Sequence, residues 1–266
     1  MGPAATRISP ARASLIVLRL RRVQDTLRGR MTGAVDRFFR GQAEVAVSVF
    51  LDRQSRQLPD GGIVYKQLDP WALIPPEDAA RLQAIVRPYL LQMILAASQE
   101  MGELVGLSGL TDSDPATLSI LRSAGQRIVA INDVTRDAVQ RTLQEGLARG
   151  LSDYEIARGV SERRDEAGTV IREAFRGLRD TVEETYTHRA DAIARTETAM
   201  ASGEATVDRY REAGVSQVDI IDGPECGWTF HDDPDVADGS QRTVGEYQAQ
   251  ILSHPNCRRV GMPVLP

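Results

Sequence analysis

Tyr210-Arg-Glu-Ala-Gly-Val-Ser-Gln-Val-Asp-Ile-Ile-Asp-Gly-Pro224 is where the chain changes its period. Upstream of Gly214, apolar residues recur at helical spacing. From Val215 to Asp222 the run is short, rich in valine and isoleucine, and closed by Gly223-Pro224, which is the pattern of a strand. The two sides of this junction define the fold class: a mainly α protein, with elongated helical N-terminal and middle regions and a small α+β C-terminal module.

Working upstream, the spacing predicts a helix from about Thr185 to Ala213. Residues 161–180 carry charges of both signs around Val170, Ile171, Phe175 and Leu178, which predicts an exposed amphipathic helix. Ser152-Asp-Tyr-Glu155 is a capping box, in which a hydroxyl and a carboxylate three residues on satisfy free amides at a helix start. Gly150 falls where a left-handed cap would close the preceding helix, whose Ile131, Val134, Ala138, Leu143 and Leu147 share one face. Further back, Glu77 to Val105 and residues 14–57 are helical. The Gly/Ser/Asp-rich stretch Gly106 to Pro115 separates α segments, as do Pro59-Asp-Gly-Gly62 and Asp69-Pro-Trp-Ala-Leu-Ile-Pro-Pro76, whose prolines remove backbone donors. Downstream, Thr243-Val-Gly-Glu246 is a second capping box and predicts a short helix to about Leu252. Three blocks result: residues 1–110, helical with a basic start; 111–200, helical; and 201–266, the α+β module.

Net charge is −5 over 266 residues, unevenly spread. Residues 1–40 hold nine arginines against Asp25 and Asp36, a net of +7, so the remainder carries −12. A basic segment on an acidic body points to an anionic surface, nucleic acid or acidic protein, and Arg12, Arg19, Arg21, Arg22, Arg28 and Arg30 are the candidate contacts. A solvated helix face is the plainer reading of the same charges. No run of about 18 uncharged apolar residues occurs, so no membrane span is expected. Two cysteines cannot staple a chain of this size, and the start lacks the apolar core and small-residue cleavage site of a secretion signal. A reducing, cytoplasmic origin is expected. There is no phosphate loop, Gly-x-Ser-x-Gly, His-Glu-x-x-His or dinucleotide fingerprint, so no catalytic signature stands out.

Both cysteines and two of the three histidines cluster near the C-terminus, as Cys226, His231, His254 and Cys257. Thiolate and imidazole at tetrahedral distance suit zinc, which makes these four a candidate structural metal site. A disulfide and unmetallated, packed side chains are the alternatives on the residues alone. Upstream, Asp191 can pair with Arg195 one turn on, while Arg195 and Glu197, two apart, point away from each other and need separate partners. Arg258 and Arg259 are the cations expected to reach Glu197.

Ile193-Ala-Arg-Thr-Glu-Thr198, Tyr210-Arg-Glu-Ala-Gly214 before a strand, Asp222-Gly-Pro-Glu-Cys226 and Ser253-His-Pro-Asn-Cys-Arg258 ahead of Pro263 resemble, in order and spacing, the head-morphogenesis (Mu F-like) minor capsid family of tailed bacteriophages. The resemblance covers about residues 130–263. It implies a non-enzymatic virion component at the portal vertex or capsid interior, assembled in the bacterial cytoplasm and aiding head assembly, DNA packaging or ejection. Its implied partners are the portal protein, the major capsid protein, scaffold and packaged DNA, and it makes Arg195, Thr196, Glu197 and Arg258 a structural motif. Many members carry a second cysteine after each loop cysteine; here those places hold Trp228 or Thr229 and Arg259. The competing functions are a zinc-dependent nuclease and a DNA-binding protein using the arginine-rich N-terminus.

Overall fold

Helices carry most of the chain, and the short strands gather mainly from its two ends. The computed structural model describes residues 6–54, 70–222, 239–253 and 257–265. In chain order the elements are β1 (Thr6–Arg7), α1 (Pro10–Gln54), α2 (Pro70–Leu73), α3 (Glu77–Val105), α4 (Pro115–Ala148), α5 (Asp153–Arg158), β2 (Arg163–Arg164), β3 (Val170–Arg172), α6 (Leu178–Glu212), β4 (Gln217–Ile221), β5 (Gln241–Thr243), α7 (Val244–Ala249) and β6 (Val260–Leu265). The protein is mainly α with a small α+β C-terminal part. Among the described residues, no helix is long and apolar enough to cross a membrane.

The chain groups into two compact units, Met1–Thr32 with Val86–Gly125 and Asp191–Pro266, and Gly33–Ile85 with Gln126–Ala190. Each draws on stretches distant in sequence, a different division from the three contiguous blocks of the sequence reading. Helices α1, α3, α4 and α6 each contribute residues to both.

In the first unit a four-stranded antiparallel sheet runs in the order β1-β6-β4-β5. Strand β4 is the one the sequence announced, and its Val218 and Ile220 alternate into the core. Strand β6 contains Pro263, which lacks the donor a ladder needs, so its sequence hides it. Pro263 pairs with Val218 on one side, but β1 reaches β6 at Val264 and Leu265, leaving Pro263 without a strand neighbour on the other among the described residues. The chain's first strand thus pairs with its last: Thr6 with Leu265, Arg7 with Val264. Gly214, at φ +70°, ends α6 as expected.

Buried tyrosines lock the sheet to the helices. The Tyr210 hydroxyl donates to the Gly261 carbonyl at 2.9 Å, and the Tyr247 ring lies so close to Gly261 that a β-carbon there would come within 3.0 Å of it. Gly203 of α6 admits Ile251 in the same way: a β-carbon at Gly203 would stand 2.2 Å from its Cγ2. Both glycines are needed for close approach rather than for backbone freedom.

The second unit packs Val35, Phe39 and Phe50 of α1 with residues of α2, α3, α4, α5 and the start of α6 in its core. Each fully buried side chain of this size contributes about 1.5–3 kcal/mol. Four local expectations are corrected here. The prolines of Asp69–Pro76 do not exclude a helix: Pro70 opens the single-turn α2, where its missing N–H costs nothing. The buried stripe of α4 is not the expected face, because Val134 and Leu147 are 43% and 44% exposed while Asn132, Thr135 and Thr142 are buried. Internal pairing makes this affordable, with Gln42 Nε2 3.4 Å from Asn132 Oδ1 and the Thr142 and Thr181 hydroxyls 2.9 Å apart. Helix α6 starts at Leu178 rather than near Thr185, since Leu178 and Val182 are fully buried.

The fourth correction is the largest: residues 161–180 do not form one amphipathic helix, because β2 and β3 make an exposed hairpin and α6 begins only after it. Turn chemistry overrides periodicity. The Asp165 carboxylate accepts from the amides of Ala167 and Thr169 at 3.0 and 2.8 Å, and Gly168 takes φ +82°. Below the hairpin, Val160 and Phe175 bridge, and Gly146 leaves room for Ile156 and Phe175 to pack on α4. Both capping boxes form as expected, Ser152 with Glu155 and Thr243 with Glu246.

Candidate functional site

Of the four candidate zinc ligands, Cys226, His231 and His254 lie outside the described residues, as do Trp228 and Thr229. Cys257 is fully buried. Its Sγ donates to Asp222 Oδ1 at 3.4 Å and accepts from Ser253 Oγ at 3.6 Å. Among the described residues no three His, Cys, Asp or Glu side chains gather as metal ligands. The other Asp222 oxygen is taken by Arg259, whose Nη2 and Nε lie 2.8 and 3.0 Å away, with both side chains buried. A third donor, Arg259 Nη1, reaches the Gln250 carbonyl at 3.2 Å. The residues after β4, before β6 and after α7 are therefore joined through the Arg259 guanidinium.

Tyr247 lies beside this knot. Burial, before any charge effect, pushes its hydroxyl up to about 12. Its hydroxyl stays neutral near neutral pH.

The same knot reaches α1. Arg21 Nη2 donates to the Asp222 carbonyl at 2.9 Å, Arg258 Nη2 lies 2.8 Å from both oxygens of Asp25, and Arg28 forks onto both oxygens of Asp191 at 2.6 and 2.7 Å. Arg195 shares Asp191, the one-turn pair expected from the sequence. Hydrogen bonding from Arg28, then from Arg195, holds the Asp191 carboxyl below its usual range against the opposing pull of burial, and Asp191 in turn raises Arg28. Arg21, Asp25 and Arg28 stand at positions i, i+4 and i+7, one helical face, so three successive contacts run from α1 to the residue after β4, the segment before β6, and α6. These partners were missed by sequence reasoning. The spacing was visible, but nothing in it names Asp222, Arg258 or Asp191 as the opposite side.

Within the Ala-Arg-Thr-Glu-Thr block, Glu197 is buried, Thr196 half-buried, and Thr198 turns its hydroxyl back to the Ala194 carbonyl at 2.7 Å. Arg258 pairs with Asp25, and Arg259 with Asp222. Of the candidate arginines, Arg21 and Arg28 face inward contacts and are half-buried, while Arg12, Arg19, Arg22 and Arg30 are exposed. The arrangement can hold elements together. Comparison with known protein families, with curated proteins and with solved structures yields no match.

Proposed function

We propose that this chain is a structural component of a tailed-phage head, a minor capsid protein of the head-morphogenesis type associated with the portal vertex or capsid interior. The observation that carries the reading is the ordered set of blocks at Ile193–Thr198, Tyr210–Gly214, Asp222–Cys226 and Ser253–Arg258. Support for a structural rather than catalytic role comes from what those blocks do: Arg195 through Asp191, and Arg258 through Asp25, both tie to α1. Residues spent on internal ion pairs position elements; they do not attack a substrate.

A structural zinc on Cys226, His231, His254 and Cys257 belongs to the same reading. About one equivalent of zinc by elemental analysis supports it, and less than about 0.2 removes it. The functional test is the composition of purified particles. The chain should be found by mass spectrometry in filled heads at low copy, and its absence from them refutes the proposal. Incubation with plasmid and divalent metal should give no cleavage; metal-dependent nicking lost in His254→Ala would replace the structural reading with a nuclease.

A further inference from the structure

The N-terminal part of α1 shows solvent a single-sign face. Arg12, Arg19, Arg22 and Arg30 are all exposed, and at about 100° per residue their positions fall within an arc of about 80°. Arg21 and Arg28 point roughly the opposite way, toward their internal partners. Among the described residues Arg12, Arg22 and Arg30 make no ion pair, and Arg19 has only Glu100 at 3.7 Å. Asp25, the one acid between Arg12 and Arg30, is engaged by Arg258. The array extends about 27 Å along the helix axis, the length of about eight phosphates on one strand of a duplex.

We infer that this face of α1 binds the phosphate backbone of duplex DNA, with Arg12, Arg19, Arg22 and Arg30 as the contacts. Guanidinium groups spread along a line, with Asp25 already engaged by Arg258 and only Arg19 near an acid among the described residues, match a linear polyanion. The B-form major groove admits an α-helix, whereas the deep, narrow one of A-form RNA does not. Contacts to phosphate carry no sequence information, so binding is sequence-independent. Leu15 and Leu18, 50% and 60% exposed, lie on or beside the same face and would instead serve a protein groove, so their substitution separates the two partners. The inference rests on this geometry and does not depend on the capsid reading.

The test is a salt titration of the full chain with a mixed-sequence DNA duplex of about 20 base pairs. Four contacts predict a slope of log affinity against log salt of about −3.6, and Arg22→Ala should lower its magnitude by about 1. Replacing all four arginines by alanine should abolish binding, and replacing all four by lysine should keep the slope. Leu15→Ala with Leu18→Ala should change neither affinity nor slope. The inference is overturned by no binding at about 50 mM salt, by a slope that Arg22→Ala and the fourfold alanine variant leave unmoved, by loss of binding in the leucine variant, or by equal affinity for duplex RNA. Because Arg22 is exposed, the single variant reads the slope even where the fourfold one does not fold.

Discussion

Asp222 is the residue on which most depends. It is 4% exposed and accepts from Arg259 and Cys257 through its carboxylate and from Arg21 through its carbonyl. Removing one member of a buried ion pair leaves the other charge uncompensated, which costs about 3–5 kcal/mol, whereas replacing both by apolar groups of similar volume is close to neutral. Asp222→Asn should therefore lower unfolding stability by about 3–5 kcal/mol in urea titration, and adding Arg259→Met should recover a large part of it. Equal losses in the single and double variants would show that the pair carries no coupling. The local sequence marks Asp222 only as the polar end of a strand before Gly223-Pro224 and the first residue of a family-like block, not as the centre of an ion pair. Its importance comes from two arginines and a thiol that other segments deliver.

At the scale of elements, the capping boxes were legible because both partners lie within four residues of each other. Ser152→Ala and Thr243→Ala should each cost about 0.5–2 kcal/mol, measured by thermal or denaturant unfolding. Glu155 has a further partner that the sequence does not show, Arg172 of the hairpin. The Arg172 guanidinium first, then the Ser152 amide and hydroxyl, bring the Glu155 carboxyl down from 4.5 to about 2. Its folded value lies below its unfolded one, so its contribution is complete above about pH 4.5 and is lost as pH falls through about 2. An NMR titration should place the Glu155 side-chain midpoint near 2, and Arg172→Ala should move it up toward 4.5. A midpoint unchanged by that substitution would mean that the hairpin is not held against α5. The hairpin itself was misread because mixed charges fit helix and ribbon alike, while Asp165 and Gly168 decide between them locally.

For the whole molecule, the informative fact is that the first part of α1, to Thr32, and the last strands belong to one unit. Strand β1 pairs with β6, and Arg21, Asp25 and Arg28 bind Asp222 after β4, Arg258 before β6 and Asp191 of α6. A fragment of residues 191–266 should therefore lack a cooperative unfolding transition and show poorly dispersed amide resonances. A folded fragment would mean that the C-terminal module is independent of α1. Acid should loosen the connection between α1 and α6 in a defined direction. Asp191 is held below its usual value, so the stability it contributes is present above 3.8 and is lost as pH falls through the lowered value.

By itself the sequence determined the presence of the long helices, the two capping boxes, the strand after Gly214 and the mainly α class, because periodicity, caps and turn residues act over a few neighbours. It also presented the arginines of residues 1–40 as one basic set. Only the tertiary structure divided that set into Arg21 and Arg28, spent on Asp222 and Asp191, and an outward face of Arg12, Arg19, Arg22 and Arg30. The same holds for β6 and for the partners of Asp25 and Asp222, which are more than 30 residues away in sequence. Such pairings depend on which segments the core brings together, and side-chain chemistry is identical whether or not a partner arrives.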